Sequence, residues 1–370
     1  MNVDNSTMEL DPEVAKRLFA QGAVLIIAGV PIGTQFGIDL CSYTIGEKFR
    51  GIKMVPPGPH YVYCESQGPY GDSAPRVGFV HYFHCNEILV REWDNENEEL
   101  RERQIADPEL EKRRIRENLL DLDEFLAPYD YRYAGDWKHL TDTVSEEAVN
   151  RCRPALGTIR TNVELQSCPD SERPRGVPGV SPKITKITSE DELLPNLKPI
   201  EGTGPRFTEL PERVPKDATP EEITKHYMDC SQAVEELMEL FDNPEKLIEE
   251  VQLAFVMFLI GYSIESLAQW RKTLNLLANS EVAVQKFKIF FMKYCEVLQH
   301  QLPHLPEELM EPTEHNTVYK DVRSLLINLT VSGLSVSAER LRKMLAKRMK
   351  WEFVGLMDDD PEDLPVVVET

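Results

Sequence analysis

Histidine, cysteine and carboxylate side chains do most of the chemistry in proteins, and in this chain their spacing does not converge on a reaction. His81, His84 and Cys85 form the densest group that could hold a metal. In a strand, however, His81 and His84 project to opposite faces, so the trio reads as structural. The seven cysteines (Cys41, Cys64, Cys85, Cys152, Cys168, Cys230 and Cys295) are odd in number, scattered and without a Cys-x-x-Cys pair, which reads as reduced thiols in structural roles. Gly29, Gly33 and Gly37 invite comparison with a dinucleotide-binding loop. Their spacing departs from Gly-x-Gly-x-x-Gly, and a strand-like run from Phe36 to Leu40 stands where that loop needs a helix. No Gly-x-Ser-x-Gly elbow, His-Glu-x-x-His helix or Walker loop occurs. The expectation is a protein that is not an enzyme, with no catalytic residue, no metal and no cofactor.

Charge narrows the partners. The 41 basic residues are outnumbered by 63 acidic ones, a formal net charge of -22, which repels phosphate backbones unless a basic patch is segregated from the rest. One basic cluster exists, Arg340, Arg342, Lys343, Lys347, Arg348 and Lys350. It reads as a basic helix end that complements its own dipole, with an RNA patch of Arg340, Lys343, Lys347 and Arg348 as the alternative. Direct nucleic-acid binding is not expected, nor a small-molecule substrate. The first ten residues lack the basic and apolar regions of a secretory signal, and the longest apolar run, Leu253 to Ile260, is far too short to span a membrane. A soluble, intracellular protein is expected.

The elements behind these residues fall into two groups. Asp11-Pro12-Glu13 opens a helix that Gly22 ends, and Ala23 to Ala28 is a continuous apolar run suited to a buried strand. Phe36, Ile38 and Leu40 alternate with Gly37, Asp39 and Cys41, a strand with one buried face. A second strand from Phe49 loses phase at Gly51, where a β-bulge is expected. Pro56-Pro57-Gly58-Pro59 turns the chain into Tyr61 to Cys64. Arg76 to His84 and Glu87 to Trp93 read as a hairpin about Cys85-Asn86. Asp107-Pro108-Glu109 starts a helix with a stripe of Leu110, Ile115, Leu119, Leu122 and Leu126, its arginines 113, 114 and 116 on a solvated face.

Prolines punctuate Arg153 to Pro205, read as a linker between domains. Helices follow: one from Thr219-Pro220 carrying Ile223, Tyr227, Cys230, Val234, Leu237 and Phe241; one capped by Asn243-Pro244 whose Leu253 to Ile260 section lies at the domain centre; and one with Ile264, Leu267, Trp270, Leu274 and Leu277 inward. Others are expected over Glu281 to Leu302, Val318 to Leu329 and Ser337 to Phe353. The expected fold is α+β in two domains: residues 1–152 rich in strands, a linker over 153–205, a helical bundle or solenoid over 206–356, and an acidic, β-prone tail over 357–370. In that tail Pro365, Val366, Val367 and Val368 form a strip suited to strand addition, on a solvated tether of Asp358 to Asp363.

Several of these stretches carry a resemblance. GTQFGID from Gly33 to Asp39, KFRGIKMVPPG from Lys48 to Gly58, ATPEEITKHYMD from Ala218 to Asp229, AFVMFLIG and QWRKTLNLL between Ala254 and Leu277, and the terminal PVVVE from Pro365 resemble the AAR-two family of eukaryotic pre-mRNA splicing factors. The resemblance implies a β-sandwich-like N-terminal domain and a helical C-terminal domain similar to the VHS fold. It implies an assembly chaperone of the U5 small nuclear ribonucleoprotein that holds the large U5 scaffold protein, through its RNase-H-like and Jab/MPN-like domains, before the helicase is recruited. Cytoplasm and nucleus are the implied locations. Only the tail strip is carried over as a binding element.

Overall fold

The computed structural model describes residues 18, 21–68, 70–103, 107–169, 196–212, 219–221, 226, 228–313 and 315–356. Most of the expected helix from Asp11, the core of the helix expected after Thr219, the middle of the expected linker and the tail strip Pro365–Val368 lie outside the described residues. In chain order the strands are β1 (Ala23–Ala28), β2 (Gln35–Ile38), β3 (Cys41–Thr44), β4 (Gly51–Val55), β5 (Gly58–Glu65), β6 (Val77–Phe83), β7 (Ile88–Asp94), β8 (Glu99–Glu102), β9 (Leu126–Pro128), β10 (Ile159–Arg160), β11 (Leu165–Ser167) and β12 (Leu197–Pro199). The helices are α1 (Pro108–Glu117), α2 (Leu119–Leu122), α3 (Ala134–Thr141), α4 (Glu146–Cys152), α5 (Ser231–Glu239), α6 (Glu245–Leu259), α7 (Ile264–Ala278), α8 (Glu281–Lys286), α9 (Lys288–Gln301), α10 (Glu307–Met310), α11 (Thr317–Val331) and α12 (Ser335–Met349).

The chain forms two compact units, a strand-rich one from Met1–Tyr129, Val149–Arg206 and Ile260–Glu265, and a helical one from Asp130–Ala148, Phe207–Leu259 and Ser266–Thr370. The α+β, two-domain expectation holds, while the unit boundaries differ from those expected. The strand-rich unit has two five-stranded sheets, β8-β7-β1-β4-β9 and β10-β6-β5-β2-β3. The apolar run of β1 is central because neighbours on both sides saturate it: β7 pairs parallel over Val24 to Ala28 and β4 antiparallel from Ala23 to Ile26.

The bulge is present but displaced. Ala23 pairs with Val55 and Leu25 with Ile52, so the extra residue sits in β4 between them, where Met54 takes φ +64°. Gly51 has a different reason to be glycine: its φ is +145°, and a Cβ there would stand 1.9 Å from the Leu25 carbonyl oxygen across the ladder. The proline turn after β4 carries the chain out of the first sheet into β5 of the second.

Three expectations are corrected. β6 and β7 are not a hairpin, because β6 pairs with β5 in one sheet and β7 with β1 in the other, with Asn86 at φ +58° in the connection. The turn signal at Cys85-Asn86 is real, but strand partners are chosen by distant residues. The helix capped by Asp107, whose side chain accepts from Leu110 N at 3.0 Å, breaks at Asn118, and Leu126 is in β9 beside Gly51 of β4, not on a helical stripe. The supposed linker is structured at both ends: β10 joins the second sheet at Val77 and Gly78, and β11 pairs with β12. Arg206 returns to donate to the carbonyls of Arg153 and Asn150, tying 196–206 to the unit that an unstructured linker would have left. Proline and serine content hid these short pairings, which use few apolar residues.

In the helical unit, α6 is the central helix. Asn243 caps it, accepting from Glu245 N at 3.0 Å, and Leu253, Ala254, Phe255, Val256 and Met257 are all buried. Its polar residues bind irregular chain: Gln252 accepts from Thr143 N and Oγ1, and Glu250 accepts from Thr208 N at 3.0 Å and Oγ1 at 2.8 Å. Trp270, Leu274 and Leu277 of α7 point inward as expected, whereas Ile264 is 52% exposed. The helix expected over Glu281 to Leu302 is interrupted at Phe287 into α8 and α9. α12 ends at Met349, and Trp351 and Phe353 pack beyond it.

Candidate functional site

The tightest set of chemically competent side chains is one that spacing alone did not single out. Asp39, in the left-handed turn between β2 and β3 (φ +55°), is 2% exposed and accepts three hydrogen bonds. Its Oδ1 takes Tyr61 N at 2.9 Å, and its Oδ2 lies 2.6 Å from His60 Nδ1 and 2.7 Å from the Tyr129 hydroxyl. His60 Nε2 lies 2.9 Å from the Pro56 carbonyl, so both ring nitrogens face acceptors, and a neutral ring would leave one contact without a hydrogen. An Asp–His–Tyr set could move protons in an open cleft. Here it is sealed, with His60 at 2% and Tyr129 at 5% exposure and rings of Phe83 and Tyr129 edge-on to the imidazole. No substrate atom reaches it, so its work is structural: it joins the β2–β3 turn, the proline corner and the end of β9. The lone histidine in an otherwise apolar strand, HYVYC from His60, and the aspartate following a buried alternation were the available signals.

The histidines weighed for metal have other partners. His81 Nε2 is 2.8 Å from Glu87 Oε1, and His84 N donates to Glu87 Oε2 at 2.8 Å. Burial would raise the Glu87 carboxyl, and these hydrogen bonds outweigh it, holding it below the usual carboxylate range. Among the described residues no group of three or more His, Cys, Asp or Glu could hold a metal, and no helix is long and apolar enough to cross a membrane. A groove of 870 Å³ in the helical unit runs between Glu209–Glu212 and α7, with Arg271, Thr317 and Asp321 on its walls. The Arg271 Nη2 to Thr317 Oγ1 hydrogen bond spans it at 2.5 Å.

A second feature joins α3 and α9. The rings of His139 and His300 stack at 4.2 Å and 4°, beside a 420 Å³ cavity that Lys293, Glu296 and Arg340 also line. Burial, then the His139 imidazole and the Arg348 guanidinium, push His300 below its ordinary value, with Asp142 and Asp136 opposing; burial does the same to His304. Protons therefore bind the unfolded chain more readily than the folded unit as pH falls through about 6.5, the ordinary histidine value. The stability of the helical unit should be full above that pH and decline below it. Hydrogen exchange at the α9 amides, followed from pH 7.5 to 5.5, should accelerate beyond the intrinsic pH effect, and His300→Gln should flatten the trend; an equal trend in the variant would assign it elsewhere.

Of the basic cluster, Arg340, Lys343, Lys347 and Arg348 are all exposed on α12. They are not a free patch throughout: Arg340 lies 3.9 Å from Glu296, and Lys343 lies 3.4 Å from Glu339, which also binds Arg342.

The family model described as AAR2 N-terminal domain matches residues 21–154, and the one described as AAR2 C-terminal repeat region matches residues 207–354. The Protein AAR2 homolog of Homo sapiens is 34% identical over 98% of this chain and 98% of its own length. This chain belongs to the AAR2 family. The mouse homolog of Mus musculus is 35% identical with the same coverage, and that of Caenorhabditis elegans is 31% identical over 93% of this chain and 98% of its own length. The two AAR2 matches begin and end close to the strand-rich and helical regions, and Asp39, His60 and α12 all fall within them.

Proposed function

We propose that this chain is a non-catalytic assembly chaperone in pre-mRNA splicing that holds the large U5 scaffold protein before its helicase joins. The carrying observation is family membership along nearly the whole chain, at 34% identity over 98% of both sequences. Net charge supports the same reading: a chain at -22 can cover a basic, RNA-binding face of a partner and postpone RNA or helicase binding there. The sealing of Asp39 and His60 supports a binding role over a reaction. The scaffold's RNase-H-like and Jab/MPN-like domains are the intended contacts, in cytoplasm and nucleus.

Pro365 to Val368 then adds an edge strand to a sheet of the scaffold protein, with backbone hydrogen bonds supplying affinity and alternate valines filling shallow pockets. Val367→Pro removes one backbone donor without changing charge. Affinity for the purified scaffold domains should fall by about 1–3 kcal/mol, roughly tenfold or more, while the thermal midpoint of the free chain stays put. Unchanged affinity with a lowered midpoint would assign the strip to the chain's own core. The RNA reading, favoured only by the α12 cations, expects salt-sensitive binding of spliceosomal RNA that Lys343→Glu and Lys347→Glu abolish.

A further inference from the structure

α9 and α12 run side by side in the same direction. The Lys288 ammonium at the start of α9 lies beside Gly333, just before α12 begins, where an added Cβ would stand 3.8 Å from it. About two turns on, Glu296 meets Arg340 at 3.9 Å, and further along the Arg348 guanidinium is near enough to act on His300 and His304. Successive partners advance together along both helices, so one groove separates them. Midway along it a 420 Å³ cavity opens between Arg340 of α12 and Glu296, Gln299 and His300 of α9.

The groove has two unlike ends. At its start Ile289 and Val336 are 73% and 80% exposed, and Met292 is nearly half exposed. Three large apolar side chains on adjoining turns keep their surface in water, the mark of an interaction site rather than of scattered surface residues. From the next turn on, the groove is cationic. Arg340, Lys343 and Lys347 follow Val336 at spacings of four, three and four, one stripe of α12. Their exposed ion pairs are weak or absent: Arg340 to Glu296 at 3.9 Å, Lys343 to Glu339 at 3.4 Å, and among the described residues none for Lys347. On a chain with a net charge of -22 this local excess of cations is the exception.

An occupant has to match both ends. A nucleic-acid backbone would satisfy the cations, but it has nothing to place on Ile289, Met292 and Val336, and Glu296 and Glu339 beside the cations repel it. A protein segment with apolar side chains next to carboxylates matches the whole length, about 16 Å of helix from Val336 to Lys347.

We propose that the groove between α9 and α12 docks an acidic amphipathic segment of another protein. Its apolar side chains sit on Ile289, Met292 and Val336, and the carboxylates that follow them lie along Arg340, Lys343 and Lys347. The apolar end fixes where the segment starts, and the cations fix its direction. Neither the tail strip nor the chaperone reading is needed for this, and the test uses no scaffold protein, so the two can fail separately.

Fluorescence anisotropy with the full chain and a labelled peptide, a pair of leucines followed by a run of about six glutamates, is the direct test. Binding should saturate below about 1 mM peptide at about 50 mM salt, and weaken several-fold at about 300 mM as screening grows. Serines in place of the leucines should weaken it about tenfold, as should Ile289→Ser with Val336→Ser in the chain, or Lys343→Gln with Lys347→Gln. All four substituted side chains are exposed, so the fold tolerates these changes. Hydrogen exchange should show new protection in the first turns of α9 and α12. Failure to saturate, whether the groove is idle or filled by the chain's own acidic residues, would overturn the proposal, as would binding indifferent to Ile289→Ser with Val336→Ser. Tighter binding of a single-stranded RNA of equal charge would assign the groove to nucleic acid instead. Self-association in sedimentation that Val336→Ser abolishes would assign it to a second copy of this chain and equally reject the acidic segment.

Discussion

Replacing Asp39 by alanine should cost the strand-rich unit about 3–5 kcal/mol, because three donors lose their acceptor at once inside a site closed to water. Tyr61 N, His60 Nδ1 and the Tyr129 hydroxyl all converge on this one carboxylate. Alanine also meets the left-handed backbone at φ +55° with no side-chain compensation, which adds about 1 kcal/mol. Graded variants separate these contributions. Asp39→Asn tolerates the backbone and keeps one acceptor, so it should lose about 2–3 kcal/mol, while Tyr129→Phe removes one donor of three and should lose about 1–2 kcal/mol. Urea unfolding gives the order, and hydrogen exchange at the Tyr61 amide localises it to β5. Should Tyr129→Phe prove as damaging as Asp39→Ala, the aspartate would not be the hub of this network.

Trp351→Ala should be comparably severe for the helical unit, at about 3–5 kcal/mol. The indole is fully buried after the end of α12, its Nε1 donating to the Met310 carbonyl at 2.6 Å. Its ring meets Tyr319 edge-on at 5.3 Å and Phe353 at 6.0 Å, and Tyr319 in turn stacks on Phe353 at 4.7 Å and 8°. Truncation therefore opens a cavity, orphans a carbonyl and removes one member of an aromatic trio. Trp351→Phe keeps most of the volume and loses the donor, for about 1–2 kcal/mol. Exchange protection of the α11 amides should drop in the same order while that of β5 is unchanged; a uniform loss over both units would mean that Trp351 supports more than its own cluster.

Much of the architecture was legible where a local pattern carries it. The apolar run of β1, the alternation about Phe36 and Ile38, the Asn243 cap of α6 and the all-round apolar section after Leu253 each dictate their structure within a few residues. What local pattern cannot carry is the choice of partner. β6 and β7 follow each other across a tight turn and still belong to different sheets, because β5 and β1, at 58–65 and 23–28, claim them. The short pairing of Leu165–Ser167 with Leu197–Pro199 joins residues about thirty positions apart with barely an apolar side chain between them. The Asp39 site was illegible for the same reason: its donors come from 21 to 90 positions away, and each looks ordinary alone. The basic stripe was visible in the sequence, yet its pairing with Glu296 and Glu339 was not.

The strand-rich unit recruits Val149–Arg206 and Ile260–Glu265, and a short piece of that last segment has a marked role in it. The Arg76 guanidinium lies 4.1 Å from the Tyr63 ring centre and 4.2 Å from that of Tyr262, and donates to the Ile260 carbonyl at 2.7 Å. During synthesis the ribosome delivers Tyr63 and Arg76 long before Tyr262, so the first unit to be translated waits, unfinished, for residues made nearly two hundred positions later. The strand-rich unit therefore gains its last contacts only once residues 260–265 have been made, after more than two-thirds of the chain has been synthesised.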